Sequence, residues 1–159
     1  MIRFMAVAAL GLFIAAFPEK TYACPNPNIN GTIVRASGQS LYDSIQLDVT
    51  AGGNNQIVPC GIPFRTDNGD GYVTTGPDFT MDITQLENYE VAFRVVSNCD
   101  SVLVLNTGTW SWYYDDDDNG NLDATIYLTK PQSGIFDVWV GTYDGTECPA
   151  YLEVETYYR

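Results

Sequence analysis

The sequence has no histidine at any of its 159 positions. Catalysis by a Ser-His-Asp triad, a Cys-His dyad or an H-E-x-x-H zinc site is therefore excluded, because each of them needs an imidazole. The chain also lacks the G-x-x-x-x-G-K-[ST] loop that cradles phosphates. A small glycoside hydrolase with two opposed carboxylates in a cleft remains as an enzymatic alternative. We expect a protein that is not an enzyme.

Basic residues are scarce. The chain has 7 Lys and Arg against 20 Asp and Glu, a net charge of -13. Without its first 23 residues it keeps 5 basic and 19 acidic residues, a net charge of -14, and Lys130 is then its one lysine. Such a surface repels phosphate groups, so we expect neither nucleic acid nor anionic lipid as a partner. Divalent cations are better expected ligands for a surface with this negative charge.

Long apolar runs are absent beyond the N-terminus. There, Arg3 precedes a stretch of apolar and small residues from Phe4 to Phe17. This is the build of a secretory signal peptide, with cleavage expected between Ala23 and Cys24. A membrane-spanning helix needs about 20 apolar residues, which makes a retained anchor the weaker interpretation. We expect a signal peptide over residues 1–23, then one secreted or periplasmic domain over residues 24–159 with no membrane span.

Cysteine is also rare, with four residues: Cys24, Cys60, Cys99 and Cys148. In an exported protein an even number of cysteines indicates disulfides. Acylation of Cys24, as in a bacterial lipoprotein, is the alternative. It is disfavoured because Thr21 stands where such signals usually have leucine, and because one thiol would be left unpaired. Spacing leaves three connectivities open, and we expect the sequential pairs Cys24–Cys60 and Cys99–Cys148.

The rest of the chain is rich in short alternating segments separated by Gly and Asn/Asp clusters. Alternation is clearest over Tyr89–Val95 and recurs in Phe136–Val140 and Leu152–Glu155. Val102–Leu105 is apolar on both faces and is expected to lie centrally in a sheet. Further strands are expected over Gly31–Arg35, Ser44–Val49, Phe79–Ile83, Ser101–Leu105, Thr109–Tyr114 and Ala124–Leu128. This pattern predicts a single all-β domain, an antiparallel β-sandwich or jelly roll.

The order of segments in the second half of the chain is distinctive. A strand ending in aromatic residues leads into an acidic Asp/Asn/Gly loop, the strand Asp123–Leu128 and the segment Gly134–Tyr143. In that segment Phe136 takes the tyrosine place of a G-x-Y-x-V-x-V pattern. Roughly residues 75 to 157 thereby resemble bacterial pre-peptidase C-terminal domains, jelly-roll-like modules often appended to secreted proteases. The resemblance implies a β-sandwich with an accessory role.

The acidic loop follows the aromatic residues directly, in the stretch WSWYYDDDDNGNLD over residues 110–123. Gly120 aligns with the glycine of the calcium loop D-x-[DN]-x-[DN]-G, which makes four residues candidate ligands: Asp115, Asp117, Asn119 and Asp123. Ile126 stands where an EF-hand has its bidentate glutamate, so this is not an EF-hand. A further carboxylate would complete the site, from Asp67, Asp70 or Asp144. A solvated acidic turn is the alternative interpretation.

Tryptophans are the candidate ligand-binding aromatics. Trp110, Trp112 and Tyr114 share one face of a strand by alternation, and we expect that face to be core, with Tyr113 pointing outward. If exposed, the face would stack on sugars. Trp139 lies opposite the apolar face of its own strand, so it is either packed under a second layer or exposed for binding.

These observations favour an exported, non-catalytic β-sandwich that serves in adhesion, recognition or an accessory role. Ca²⁺ would rigidify its acidic loop, and an unidentified protein or carbohydrate would be its ligand. A carbohydrate-binding module that uses Trp139, or Trp110 with Trp112, is the alternative.

Overall fold

The computed structural model describes residues 23–159, so the expected signal peptide lies, apart from Ala23, outside the described residues. Two β-sheets pack face to face, as the alternating pattern predicted. The strands are β1 (Thr32–Ser37), β2 (Ile45–Ala51), β3 (Asn55–Gln56), β4 (Tyr72–Val73), β5 (Phe79–Thr84), β6 (Tyr89–Ser97), β7 (Ser101–Thr107), β8 (Trp112–Asp115), β9 (Thr125–Leu128), β10 (Gly134–Thr142) and β11 (Cys148–Tyr158). One 3-10 turn covers Val58–Cys60. Within the described part, no helix is long and apolar enough to cross a membrane.

The larger sheet has seven strands and the smaller has four. In the seven-stranded sheet, β10 pairs with β5 and β4 along one edge and with β7 along the other. Strand β1 adds to β5 in parallel, β3 adds to β4, and β8 adds to β7. The four-stranded sheet has the order β2-β11-β6-β9, antiparallel throughout. Each of the nine expected strands is confirmed. The two-residue strands β3 and β4 were not predicted, because two residues carry no periodicity.

The main core lies between the sheets. Tyr89, Val91, Phe93 and Val95 of β6 all face into it, which confirms the predicted apolar face. Phe136 of β10 packs against them, its ring centroid 5.7 Å from that of Phe93. The central position expected for Val102–Leu105 is also confirmed, because β7 lies between β10 and β8 and is buried on both faces.

A second apolar cluster covers the outer face of the seven-stranded sheet. The chain between β3 and β4 folds over this face, and Ile57 and Phe64 from it pack on the sheet. Trp139 is fully buried beneath this cover. Its ring centroid lies 5.5 Å from that of Trp112, and its Nε1 donates to the carbonyl oxygen of Thr75 at 3.4 Å. The seven-stranded sheet is thus partly buried on both faces.

Two disulfides link segments that are distant in the sequence. Cys24 pairs with Cys60, with 5.7 Å between the Cα atoms, and ties the N-terminal segment to the cover. Cys99 pairs with Cys148, with 6.6 Å between the Cα atoms, and ties the β6–β7 turn to the start of β11. These are the expected sequential pairs. The sulfur of Cys24 is engaged in a disulfide, which is incompatible with the lipoprotein alternative.

Candidate functional site: an acidic end of the sandwich

Four loops bring carboxylates together at one end of the sandwich. They are the chain leading into β4, the β6–β7 turn, the β8–β9 loop and the β10–β11 loop. The acidic end is defined here by six residues: Asp67, Asp70, Asp100, Asp116, Asp117 and Asp144. Backbone hydrogen bonds join the loops to the β6–β7 turn, from Tyr143 N to Asp100 O and from Ser101 N to Leu122 O, both 2.9 Å. The Cys99–Cys148 disulfide lies within the same group of loops.

Asp115 anchors the beginning of the β8–β9 loop. Its side chain is 8% exposed, and its Oδ2 accepts from the backbone N–H of Thr125 at 2.7 Å and of Asp118 at 3.2 Å. Burial raises the pKa of Asp115 to about 6, against the opposing effect of those two amide donors. The hydrogen bonds of this carboxylate therefore stabilise the β8–β9 loop itself.

Asp123 anchors the end of the same loop and is 3% exposed. Its Oδ1 accepts from Ser97 Oγ at 2.7 Å and from Ser101 Oγ at 3.2 Å, while its Oδ2 accepts from Ser97 N at 3.2 Å. Asn119 also faces inward, with its side-chain amide donating to Val95 O at 2.7 Å. The loop is therefore fastened at three points to the strands below it.

This arrangement bears on the predicted calcium ligands. Asp115, Asn119 and Asp123 are engaged by protein donors and acceptors, and Asp117 is the exposed member of the four. Over residues 23–159 no group of three or more Asp, Glu or Cys side chains is arranged to hold a metal ion. The structure does not bring the four predicted ligands together. A cation here would have to use the carboxylates of the acidic end, and calcium binding stays a prediction.

The carboxylates of the acidic end repel one another. The pKa of Asp100 is raised by partial burial and by the charges of Asp117 and Asp144. The pKa of Asp116 is raised by partial burial and then by Asp117, Asp67 and Asp100. In the described chain the ion pairs are those of Arg94 with Glu153 and Glu155, at 3.6 and 3.0 Å on the four-stranded sheet. No lysine or arginine of residues 23–159 pairs with the acidic end.

The aromatic residues lie elsewhere, and two expectations about them were wrong: the outward direction of Tyr113 and the place of Trp110 on one face with Trp112. Trp112 and Tyr114 do share a face, but it is the covered outer face, whereas Tyr113 packs against the main core instead of pointing outward. Trp139 is buried, so it is no candidate for stacking on a ligand. Trp110 is 66% exposed, but it precedes β8 in a turn and does not form a platform with Trp112.

Sequence reasoning missed two exposed apolar residues beside the acidic end. Tyr143 is 46% exposed and follows β10, and Leu122 is 53% exposed within the β8–β9 loop. Leu122 has a φ of 62°, in the left-handed region that a branched side chain seldom adopts. The Asp144-Gly145 turn signal marked a loop after Tyr143, but nothing in the sequence showed which loops would meet there.

Two carboxylates with raised pKa predict how stability depends on pH. Burial raises the pKa of Asp78 to about 6, although the hydrogen bond that its Oδ2 accepts from Val140 N at 2.7 Å opposes the shift. Burial raises the pKa of Asp115 to about 6 as well. Because both folded-state values exceed the ordinary 3.8, the folded state favours the protonated forms. Stability should therefore rise as pH falls from 7 toward 4, by about 2 kcal/mol for each of the two groups.

Thermal unfolding across that pH range tests this expectation. Asp78→Asn keeps an acceptor for the Val140 amide and should reduce the rise by about 2 kcal/mol, the contribution of this one group. Asp48→Asn, at an exposed position on β2, is the matched control and should leave the curve unchanged. A wild-type protein that loses stability between pH 7 and 4.5, or curves that stay parallel in Asp78→Asn, would contradict the expectation.

Comparison with known proteins gives little. No family model matches the chain, and no curated protein matches it. Among solved structures, the crystal structure of Aeromonas hydrophila PliG, a periplasmic lysozyme inhibitor of g-type lysozyme, is 12% identical. The match covers 80% of this chain and 99% of that one, with a TM-score of 0.41. A similarity this distant carries no conclusion about what the present chain binds. The resemblance to pre-peptidase C-terminal domains stays a prediction.

Proposed function

We propose that the protein is an exported, non-catalytic recognition module whose acidic end contacts a basic surface on a partner protein. One observation carries this proposal: six carboxylates on fastened loops have no lysine or arginine partner within residues 23–159. Charges left without internal partners are available to a complementary surface, where they speed association and select the partner.

The loops that hold these charges are ordered before any partner arrives. Asp115 and Asp123 fasten both ends of the β8–β9 loop, and the Cys99–Cys148 disulfide joins the neighbouring turn to β11. A surface that is already ordered loses less conformational entropy on binding. Tyr143 and Leu122 add exposed apolar area beside the charges, and tyrosine is enriched in protein interfaces. Charge and apolar contact together suit a protein partner.

A non-catalytic role is supported by the lining of two clefts in the described chain. One runs between the β7–β8 turn and the β9–β10 loop, and no carboxylate lines it. The other lies under the cover segment, and Asp67 is its only carboxylate. Neither offers the two opposed carboxylates that a glycoside hydrolase needs.

Binding to two strongly basic polypeptides, folded cytochrome c and unfolded polylysine, tests the proposal at low and at physiological salt. Asp116→Asn/Asp117→Asn removes two charges from the acidic end and should weaken binding about tenfold at low salt. Asp43→Asn/Asp48→Asn removes the same charge from exposed positions near β2 and should weaken it by less than about twofold. Equal weakening by both variants would mean that only net charge matters, and would overturn the proposal.

Calcium is the second candidate occupant of the acidic end, favoured by the mutual repulsion that raises the pKa of Asp100 and Asp116. Thermal unfolding of the same three proteins in Ca²⁺ and in EDTA separates the two occupants. A bound ion at 100 times its Kd adds about 2.7 kcal/mol to the free energy of unfolding. Stabilisation by Ca²⁺ that is lost in Asp116→Asn/Asp117→Asn, without binding to the basic probes, would assign this end to calcium.

A further inference from the structure

A cleft opens at the other end of β8 and β9, between the β7–β8 turn and the segment from Tyr127 to Phe136. Its volume is about 670 Å³, within the usual range of ligand sites. Phe136 and Leu128 form a buried apolar floor with the half-buried ring of Tyr113. Thr107 and Thr109 form part of a polar rim. The cleft is separate from the acidic end and takes no part in the binding proposed for that end.

Most of the free strand edge around this cleft is capped by the chain itself. Strand β8 pairs with β7 on one side, and on its other side Arg65 N donates to Trp112 O at 2.9 Å. Tyr114 N donates to Thr66 Oγ1 at 2.9 Å on the same side. In β9, the outward N–H of Thr125 is taken by Asp115. Capping of this kind keeps an edge from pairing with other chains.

Tyr127 is the exception. Val95 N donates to Ala124 O. Because hydrogen-bonded positions alternate along an antiparallel pair, the main-chain groups of Ile126 and Leu128 also face β6. The N–H and C=O of Tyr127 therefore point away from β6, and no hydrogen bond to either is found within residues 23–159. Its side chain lies on the outer face of the four-stranded sheet, where its hydroxyl donates a hydrogen bond to the carboxylate of Glu90. Tyr127 thus lines the cleft with its main chain.

We propose that this cleft binds an extended peptide segment, which adds as a strand to the free edge of β9 and places a carboxylate at Lys130. A free N–H and C=O beside an apolar floor matches strand addition, in which main-chain bonds give affinity and alternate side chains fill pockets. Lys130 lies on the rim, exposed and without an ion pair in the described chain, which is otherwise strongly acidic. A saccharide fits less well, because the exposed ring of Tyr127 is turned away from the cleft and the ring of Tyr113 is half-buried in its floor.

The test uses the oxidised protein and one synthetic probe, a five-residue peptide of alternating valine and threonine with a free C-terminal carboxylate. Binding is followed by amide chemical shifts and hydrogen exchange. The peptide should shift the amides of Tyr127 and Thr129 and protect the Tyr127 N–H from exchange. Methylating the one peptide nitrogen that donates to the Tyr127 C=O should weaken binding about fivefold.

Two variants complete the test. Lys130→Gln should weaken the free-acid peptide about threefold and leave its C-terminal amide unaffected, whereas Arg35→Gln, an exposed cation on β1, should change neither. Tyr127→Pro removes the outward N–H but no ladder bond to β6, and should abolish binding while thermal unfolding confirms the fold. Absence of binding at millimolar peptide, shifts mapping outside the cleft, or equal affinity of the methylated peptide would each overturn the proposal. Cleft shifts from a saccharide panel, without any from the peptide, would overturn it in favour of a sugar.

Discussion

Replacing Trp139 with alanine should lower the free energy of unfolding by about 3–5 kcal/mol, the range for removing a large aromatic side chain from a packed site. The side chain is fully buried between the seven-stranded sheet and its cover, in contact with Trp112 and hydrogen-bonded to Thr75. Truncation would leave a cavity on the outer face of β10 and expose apolar atoms of the cover to it.

Trp110→Ala is the matched control for this prediction. Trp110 is 66% exposed in a turn, so its removal should change stability by less than about 0.5 kcal/mol. Urea unfolding followed by circular dichroism measures both variants without depending on tryptophan fluorescence. A loss below about 1 kcal/mol in Trp139→Ala would contradict burial of this residue and would restore it as a candidate ligand-binding aromatic.

Removing the Cys99–Cys148 disulfide should cost about 4 kcal/mol, because a cross-link over this many residues restricts the unfolded chain strongly in the chain-entropy model. The sequence separation is 49 residues here and 36 for Cys24–Cys60, so that model gives the two bonds nearly equal effects. Equilibrium unfolding of Cys99→Ser/Cys148→Ser and of Cys24→Ser/Cys60→Ser measures each loss.

The two disulfide variants differ in what they loosen. Cys99→Ser/Cys148→Ser should weaken binding at the acidic end, since it frees the β6–β7 turn from β11. Cys24→Ser/Cys60→Ser should leave that binding intact and instead raise solvent access to Trp139, read as faster hydrogen exchange of its indole N–H, which donates to Thr75 O. Equal effects of both variants on binding would mean that global destabilisation, and not loop fastening, is being measured.

Alternation predicted the sheet framework well because the inner faces of the strands are uniformly apolar. In β6, Tyr89, Val91 and Phe93 each face the core, and β10 follows the same rule through Phe136 and Val138. The period-two pattern is a local property, so one sequence suffices to read it. The order in which strands pair is not local, and the parallel addition of β1 to β5 left no trace in either segment.

The burial of Trp112, Tyr114 and Trp139 depends on the chain between β3 and β4, which has no periodic pattern. Alternation placed Trp112 and Tyr114 on one face correctly, but could not say which face pointed to the main core. The outer face is apolar because the irregular chain around Ile57 and Phe64 covers it. The Gly and Asn/Asp clusters at the ends of that segment indicated turns, and they gave no indication that the chain between them would cover a sheet.

The predicted calcium ligands likewise show that a local sequence pattern does not identify the partners of a side chain in the fold. Spacing around Gly120 suggested that Asp115 and Asp123 would converge on an ion. In the structure both carboxylates accept hydrogen bonds from the protein, from Thr125 and from Ser97 respectively, and Ser97 lies 26 residues from Asp123 in sequence. Their binding of Ca²⁺ stays a prediction. A carboxylate that fastens a loop and one that binds a cation need similar oxygen geometry. Only the partners brought near by the fold distinguish them.

The sequential disulfides also have a consequence for biogenesis. Under the proposed export, N-terminus first, Cys24 and Cys60 would reach the oxidising compartment before Cys99 and Cys148. Each cysteine's partner is thus its nearest neighbour in order of arrival. An oxidase that joins cysteines as they emerge would produce the correct pairing at once, and maturation would not need a disulfide isomerase.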